Sequence, residues 1–228
     1  MRSIGTVLVT GGASGLGAAV MVAAAEAGGR PVSLDRVPCE GDVEQEIVDL
    51  ADPRAAEAAV RAVSQRVGGV DAVVTCAGTD ACGKLEDVDG ADWDRVIQVN
   101  LIGTAAVIRA AMPDLLQRNG HVVTVASTLG VRVLPDATAY CASKFGVVGL
   151  TRALAAETQG RIGTTLLIPG GMRTRFFDGR DPQYMPPDDA PLNSPTNVAS
   201  AVIFALRQPA GCEVRELVVT PSVEGSWP

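Results

Sequence analysis

Tyr140 and Lys144 stand four positions apart in a stretch, 139–156, that reads as one helix, so both side chains leave the same face. A phenol ionises near pH ~10 and exchanges protons poorly at neutral pH. An ammonium one turn away favours the phenolate and makes the tyrosine a workable acid or base. Taken alone, the same spacing also describes a solvated aromatic beside a surface lysine. Other positions decide between the two readings.

The elements that would position this pair begin at the opposite end of the chain. Val7-Leu8-Val9-Thr10 is a short apolar run of strand type, followed by Gly11-Gly12-Ala13-Ser14-Gly15-Leu16-Gly17 and an alanine-rich helical stretch. Glycines there permit positive φ and close backbone approach, and the helix start aims free N–H groups at a diphosphate. Pro31 to Asp35 reads as a second strand ending in an acid at the distance from the loop where a carboxylate accepts hydrogen bonds from an adenosine ribose. Asp35 therefore favours NAD, while the adjacent Arg36 leaves NADP open, because a guanidinium pairs well with a 2′-phosphate.

At 228 residues and 47% hydrophobic content, the chain can bury a substantial core within a single domain spanning 1–228. Strand-like segments at 5–10, 31–35, 46–50, 70–75, 120–126, 163–168 and 214–220 alternate mostly with helical ones at 15–28, 53–67, 91–118, 139–158 and 195–207. The pattern predicts an α/β fold, a Rossmann-like doubly wound parallel sheet with helices on both faces. Right-handed crossovers then bring the strand C-termini, and the loops named above, to one ligand-binding edge. The link between the second and third strands is too short for a regular helix.

A net charge of −7 with no compensating basic cluster argues against nucleic acid as a partner. Five cysteines at 39, 76, 82, 141 and 212 form no C-x-x-C pair, so reduced thiols in a cytoplasmic protein are expected, with no metal site. His121 is the sole histidine and opens an apolar strand, which gives it a structural reading and removes a Ser-His-Asp triad. Ser3 to Ala25 carries no charge and superficially resembles a signal peptide or membrane span, but its glycines and hydroxyls break the apolar run, so no membrane association is expected.

These motifs, in order and spacing, resemble the short-chain dehydrogenase/reductases over nearly the whole chain. The resemblance rests on Thr10-Gly11-x-x-x-Gly15-x-Gly17, Asp49-Leu50, Ala77-Gly78, Asn100, Ser127, Tyr140-x-x-x-Lys144, Pro169-Gly170 and Thr174. It implies Tyr140 as general acid in carbonyl reduction and general base in alcohol oxidation, with Ser127 holding the reacting oxygen. It implies that Lys144 lowers the tyrosine pKa and binds the nicotinamide ribose, and that Asn100 holds a water linking this lysine to solvent. Cofactor contacts are implied at Gly11, Ser14, Gly15, Leu16, Gly17, Asp35, Arg36, Asp49, Leu50, Ala77, Gly78, Pro169, Gly170 and Thr174, as well as at Tyr140 and Lys144.

Cys76 departs from the pattern, since the family usually places a loop-bracing asparagine there, and a thiol hydrogen-bonds weakly. The proline- and glycine-rich segment 172–195 is expected to form a substrate lid. Phe176, Phe177, Tyr184 and Met185 are candidates for its apolar wall. Arg173, Arg175 and Arg180 are candidates for an acidic group, balanced by Asp178, Asp181, Asp188 and Asp189. Apolar residues on 91–118 and 139–158, among them Val96, Ile97, Leu101, Val107, Ile108, Val147, Val148, Leu150 and Leu154, exceed what one sheet face obviously hides. With the family's habit of pairing these helices, they predict a homodimer or homotetramer. The tail 224–228 has two readings, packing on a neighbour or fraying. The leading expectation is an NAD(P)-dependent oxidoreductase acting on a small alcohol or carbonyl compound. The alternatives are a catalytically weak NAD(H)-binding regulator or scaffold, prompted by Cys76, and an epimerase or dehydratase of the sugar-nucleotide branch. The glycine spacing and the lack of a sizeable C-terminal substrate domain count against the last.

Overall fold

Strands covered on both faces have no solvent side to decorate, so they read as mostly apolar runs. The central strands fit, with threonines and His121 as their buried polar positions. β1 (Thr6–Thr10), β4 (Ala72–Thr75), β5 (His121–Val125) and β6 (Gly163–Pro169) are buried at every position. The computed structural model describes residues 2–227. It arranges these strands with β2 (Arg30–Asp35), β3 (Gln45–Ile47) and β7 (Glu216–Val219) in one seven-stranded sheet of order β3-β2-β1-β4-β5-β6-β7. Every pairing is parallel, and the order reverses between β1 and β4, the switch point outside which such sheets bind ligands. This is the expected Rossmann-like fold.

Alternation along β1 divides the core. Leu8 points toward α2 (Pro53–Val67) and the helix ending at Arg118, joining Val32, Leu34, Val60, Val73 and Leu115. Val7 and Val9 point the other way, toward α1 (Gly15–Glu26) and α6 (Pro195–Leu206), joining Val20, Val74 and Val202. The apolar stretch Ser3–Ala25 is thus spent on β1 and α1. Local signals fix the helix ends: the Asp52 carboxylate accepts from the N–H groups of Arg54 (2.9 Å) and Ala55 (3.0 Å) ahead of Pro53, and Gly68 closes α2 at φ 79°.

The segment expected as one helix over 91–118 is α3 (Gly90–Ile97), a π-helical segment over Gln98–Gly103, and α4 (Thr104–Arg118). The wide turn presses against the turn that follows β3, where a Cβ on Gly103 would lie 2.6 Å from the Leu50 carbonyl oxygen. By length and composition this 29-residue run could cross a membrane, yet Val99, Val107, Ile108 and Leu115 are core residues. α5 (Thr138–Glu157) packs beside it.

Boundaries moved elsewhere too. β3 is only three residues and β7 only four, because edge strands have one partner and lose pairing at their ends. The β2–β3 link contains no helix, as its length required. The apolar excess noted on the helices is largely absorbed within the chain, with Val96, Val107, Ile108, Val147, Val148 and Leu154 all buried; Ile102, Leu116 and Phe145 stay exposed.

Candidate active site

The β1–α1 turn is shaped by two close approaches. Gly11 has φ +73°, and a Cβ there would lie 2.9 Å from the Ala77 Cα; a Cβ on Gly17 would run into the Gly11 carbonyl. Side chains lock this crossing. Thr10 Oγ1 accepts from the Ala77 N–H at 3.0 Å, and the Asp35 carboxylate accepts from the Ala13 N–H at 3.0 Å and the Val37 N–H at 3.2 Å. Ser14 precedes α1 without a side-chain capping bond, so the first N–H groups of the helix are not spent on a cap. A cradle that any Cβ would fill, beside an uncapped helix start, fits a dinucleotide diphosphate. Arg36 is exposed, and Asp49 is raised by burial but lowered more by the Ala51 N–H, by Arg95 and by Arg36. Asp49 Oδ2 accepts from Arg95 at 2.8 Å, and Leu50 is a core residue.

Across the switch point, the residues singled out at the C-terminal ends of β4 and β5 and on the helices meet. Ser127 follows β5 and caps a short 3-10 turn, its Oγ accepting from the Leu129 N–H at 3.1 Å. Tyr140 lies in the first turn of α5 and Lys144 in the next; the ammonium is 5.6 Å from the phenol ring centroid and donates to the Val125 carbonyl at 2.9 Å. Asn100, in the π segment, clamps the β4 loop: its Oδ1 accepts from the Thr79 N–H at 2.8 Å and its Nδ2 donates to the Thr79 carbonyl at 2.9 Å. The same Nδ2 donates to Ser143 Oγ at 3.0 Å, which donates to the Tyr140 carbonyl at 2.8 Å. Both side-chain N–H groups of Asn100 are therefore engaged by protein and unavailable to a relay water. Gly78 leaves room here, a Cβ being 3.5 Å from Asn100 Oδ1 and 3.7 Å from Lys144 Nζ.

Electrostatics corrects one expectation. Burial pushes the Tyr140 phenol well above its ordinary value, and the Ser127 hydrogen bond only partly offsets this; Asp80 raises it and Arg180 lowers it. Lys144 is itself pushed down to about 8 by burial, opposed by Cys76 and Asp80. Burial is the largest influence on the phenol and the net shift is upward, so the phenol keeps its proton at neutral pH. Cys76 is likewise pushed up to about 12 by burial and packs beside the apolar cluster of β1 and α1. Thr10 and Asn100 hold the loop just after it, through Ala77 and Thr79. His121 is buried with Nε2 2.8 Å from Thr165 Oγ1, and burial pushes it down to about 4, a neutral structural group.

Pro169 ends β6, and the segment after Gly170 leaves the sheet as a loop closed at its stem. The Arg173 N–H donates to the Asn193 carbonyl and the Asn193 N–H to the Gly171 carbonyl, both at 2.9 Å. Thr174 approaches the glycine loop, 3.4 Å from a Cβ at Gly15, and caps a turn whose Phe176 ring lies 5.6 Å from the Tyr140 ring. Arg173 and Arg175 are exposed, whereas Arg180 is half-buried against Asp80. Asp80 went unnoticed in the sequence, because its partner is a hundred positions away. Met185 remains 41% exposed and the Tyr184 hydroxyl donates to Asp136 at 3.4 Å, so neither joins Phe176 at the phenol.

The tail is tied to its own chain rather than frayed: Glu224 accepts from the Gly171 N–H at 3.0 Å, Ser226 pairs with Thr128 at 2.7 Å, and Trp227 packs against the cluster that includes Val147, Val148 and Ile168. Pro228 lies outside the described residues. A cleft of about 350 Å³ beside the β4 loop is lined by Asp80, Asp87, Asp89 and Asp92, charges that would repel a diphosphate. Among the described residues, no three His, Cys, Asp or Glu side chains gather as metal ligands.

The chain belongs to the short chain dehydrogenase family, whose model matches residues 5–184. An uncharacterised oxidoreductase of Staphylococcus aureus strain MW2 is 30% identical over 94% of this chain and 96% of its own length. A glycine betaine reductase of Emericella nidulans is also 30% identical over 95% of this chain, which spans only 19% of that longer protein. Among solved structures, a metagenomic short-chain oxidoreductase in complex with NADP superposes with a TM-score of 0.82 at 25% identity, covering 98% of this chain and 100% of the other.

Proposed function

We propose that this member of an oxidoreductase family interconverts a secondary alcohol and a ketone with a nicotinamide dinucleotide, Tyr140 serving as the general acid or base. The observation that carries the reading is the convergence of Ser127, Tyr140, Lys144 and Asn100 at the switch point, facing the cradle formed by Gly11, Ser14, Gly15, Leu16 and Gly17. When bound, the nicotinamide supplies or accepts the hydride. Ser127 Oγ accepts from Leu129 and its O–H hydrogen-bonds the Tyr140 phenol, a donor that a reacting oxygen entering beside the phenol would take up. Tyr140, kept protonated by burial, is set to give its proton to that oxygen in reduction; the reverse step requires its phenolate form to take the alcohol proton. Lys144, fixed on the Val125 carbonyl, stands where it would donate to a ribose, and Asn100 positions the β4 loop.

Asp35 already lies against the glycine loop and Arg36 faces solvent, which supports NAD over NADP. Asp49, Leu50, Ala77, Gly78, Pro169, Gly170 and Thr174 would line the rest of the groove. Titrating the protein with NADH and NADPH separately tests the preference; tighter NADPH binding would reverse it. Tyr140→Phe tests the chemistry: turnover should vanish while dinucleotide binding persists, and a variant with near-normal rates would remove Tyr140 from the mechanism. The exposed Ile102, Leu116 and Phe145 support assembly as a homodimer or homotetramer, and light scattering at micromolar concentration would show a monomer if that is wrong.

A further inference from the structure

Segment 172–195 contains only two three-residue 3-10 turns, Arg175–Phe177 and Pro182–Tyr184, so hydrogen bonds within helices do not hold it in place. Among the described residues, its one ion pair to the rest of the chain is Arg180 to Asp80, at 2.9 Å with side-chain exposures of 15% and 9%. The Arg180 guanidinium also lies 4.7 Å from the ring centroids of both Phe176 and Phe177. Phe176 in turn packs against Tyr140. On the other side, Asp80 sits on the loop that Asn100 clamps through Thr79, and its second oxygen accepts from the Ala81 N–H at 2.8 Å. A cation of this segment is thereby docked on a carboxylate of the clamped loop, and the Phe176 ring it stacks on lies against the phenol.

We infer that Arg180 and Asp80 form a latch that closes the lid and positions Phe176 as a wall of the substrate site beside Tyr140. The inference rests on the proposed alcohol and ketone chemistry for its substrate, but the latch itself is a property of the chain. Because Asp80 already neutralises Arg180, the pair presents no free charge, so the closed site suits an uncharged carbonyl compound rather than a carboxylate. Arg180 acts through Phe176 and is a positioning residue. A guanidinium both pairs with a carboxylate and stacks on rings, whereas an ammonium does mainly the first.

The test uses the full chain with Asp80→Asn, Arg180→Met, Arg180→Lys and the Asp80→Asn/Arg180→Met double variant. Two readouts are followed: tryptic cleavage after the exposed Arg175, which needs no activity, and KM, kcat and NADH affinity with a neutral ketone that the parent reduces. Either loss of charge should speed cleavage and raise KM roughly tenfold while changing cofactor affinity less than about twofold. The double variant should be no worse than the worse single, since both break one contact, and Arg180→Lys should recover part of the loss. Unchanged cleavage, single effects that multiply, or a KM defect confined to carboxylate-bearing substrates would each overturn the latch. If Arg180→Met does not fold, the near-isosteric Asp80→Asn gives the same readings. A parent protein that reduces no carbonyl compound would sink the proposed function, while the cleavage arm would still decide the latch.

Discussion

The loops that face a dinucleotide and the lid that faces a substrate are held by different kinds of contact. On the first side, Thr10, Asp35 and Asn100 each hydrogen-bond backbone of another loop, and Gly11 and Gly17 bring main chain against main chain. On the second, a closed stem, one ion pair and an aromatic cluster carry the contacts. Backbone crossings have almost no tolerance for added atoms, whereas side-chain docking can be exchanged at modest cost. The part of the reaction shared by all substrates thus rests on the stiff side, and selectivity on the adjustable one.

The largest expected effect tests what both sides serve. Tyr140→Phe removes only the hydroxyl, so kcat should fall roughly 10³-fold with dinucleotide affinity within about twofold, measured by stopped-flow and by fluorescence titration. Gly11→Val should separate the regions: it forces a branched side chain into positive φ and against Ala77. That strain, of order 1–3 kcal/mol, should weaken dinucleotide binding at least tenfold and leave tryptic cleavage of the lid unchanged. Faster cleavage would mean that the two regions are mechanically coupled.

Lys144 sharpens the contrast through pH. Its folded-state value, about 8, lies below its ordinary 10.5, so between those limits the unfolded chain binds more protons and this residue makes the protein more stable as pH rises. The full penalty, about 3 kcal/mol, is present below pH 8 and gone above 10.5. Buried Cys76 and Tyr140, both pushed up, contribute an opposite slope to parent and variant alike, so the test is the difference: in denaturant unfolding the parent should gain stability relative to Lys144→Met as pH rises through this window. Smaller still is Glu224→Ala, which frees the Gly171 N–H and loosens the tail from the stem of the lid. A cost near 1 kcal/mol, or a Tm lower by about 2–4 °C, is expected by scanning calorimetry.

Much of the stiff side was legible because its signals are local. The glycine spacing, the acid ending β2 and the one-turn interval from Tyr140 to Lys144 each follow from chain geometry, and the sheet from apolar runs of strand length. What escaped depends on distant partners. Asp80 and Arg180 stand 100 positions apart in the chain, and neither has a neighbour in sequence that marks it. Nothing near 224–227 announces that Trp227 will cover Val147 and Ile168. The phenol's raised pKa escaped for a related reason, since spacing shows an ammonium nearby but not how much water both groups have lost.

The widened turn at Gln98–Gly103 has a consequence for anyone who would shorten this chain or graft its parts. A π turn accommodates one residue more than an α-helix needs, so deleting any single residue there would let the helix close regularly. Because the wide turn spreads its extra residue over nearly the same rotation, α4 would keep its facing and Val107 and Leu115 would stay on the sheet. The extra residue therefore matters at the turn itself, where Asn100 clamps the β4 loop, more than to the packing of α4.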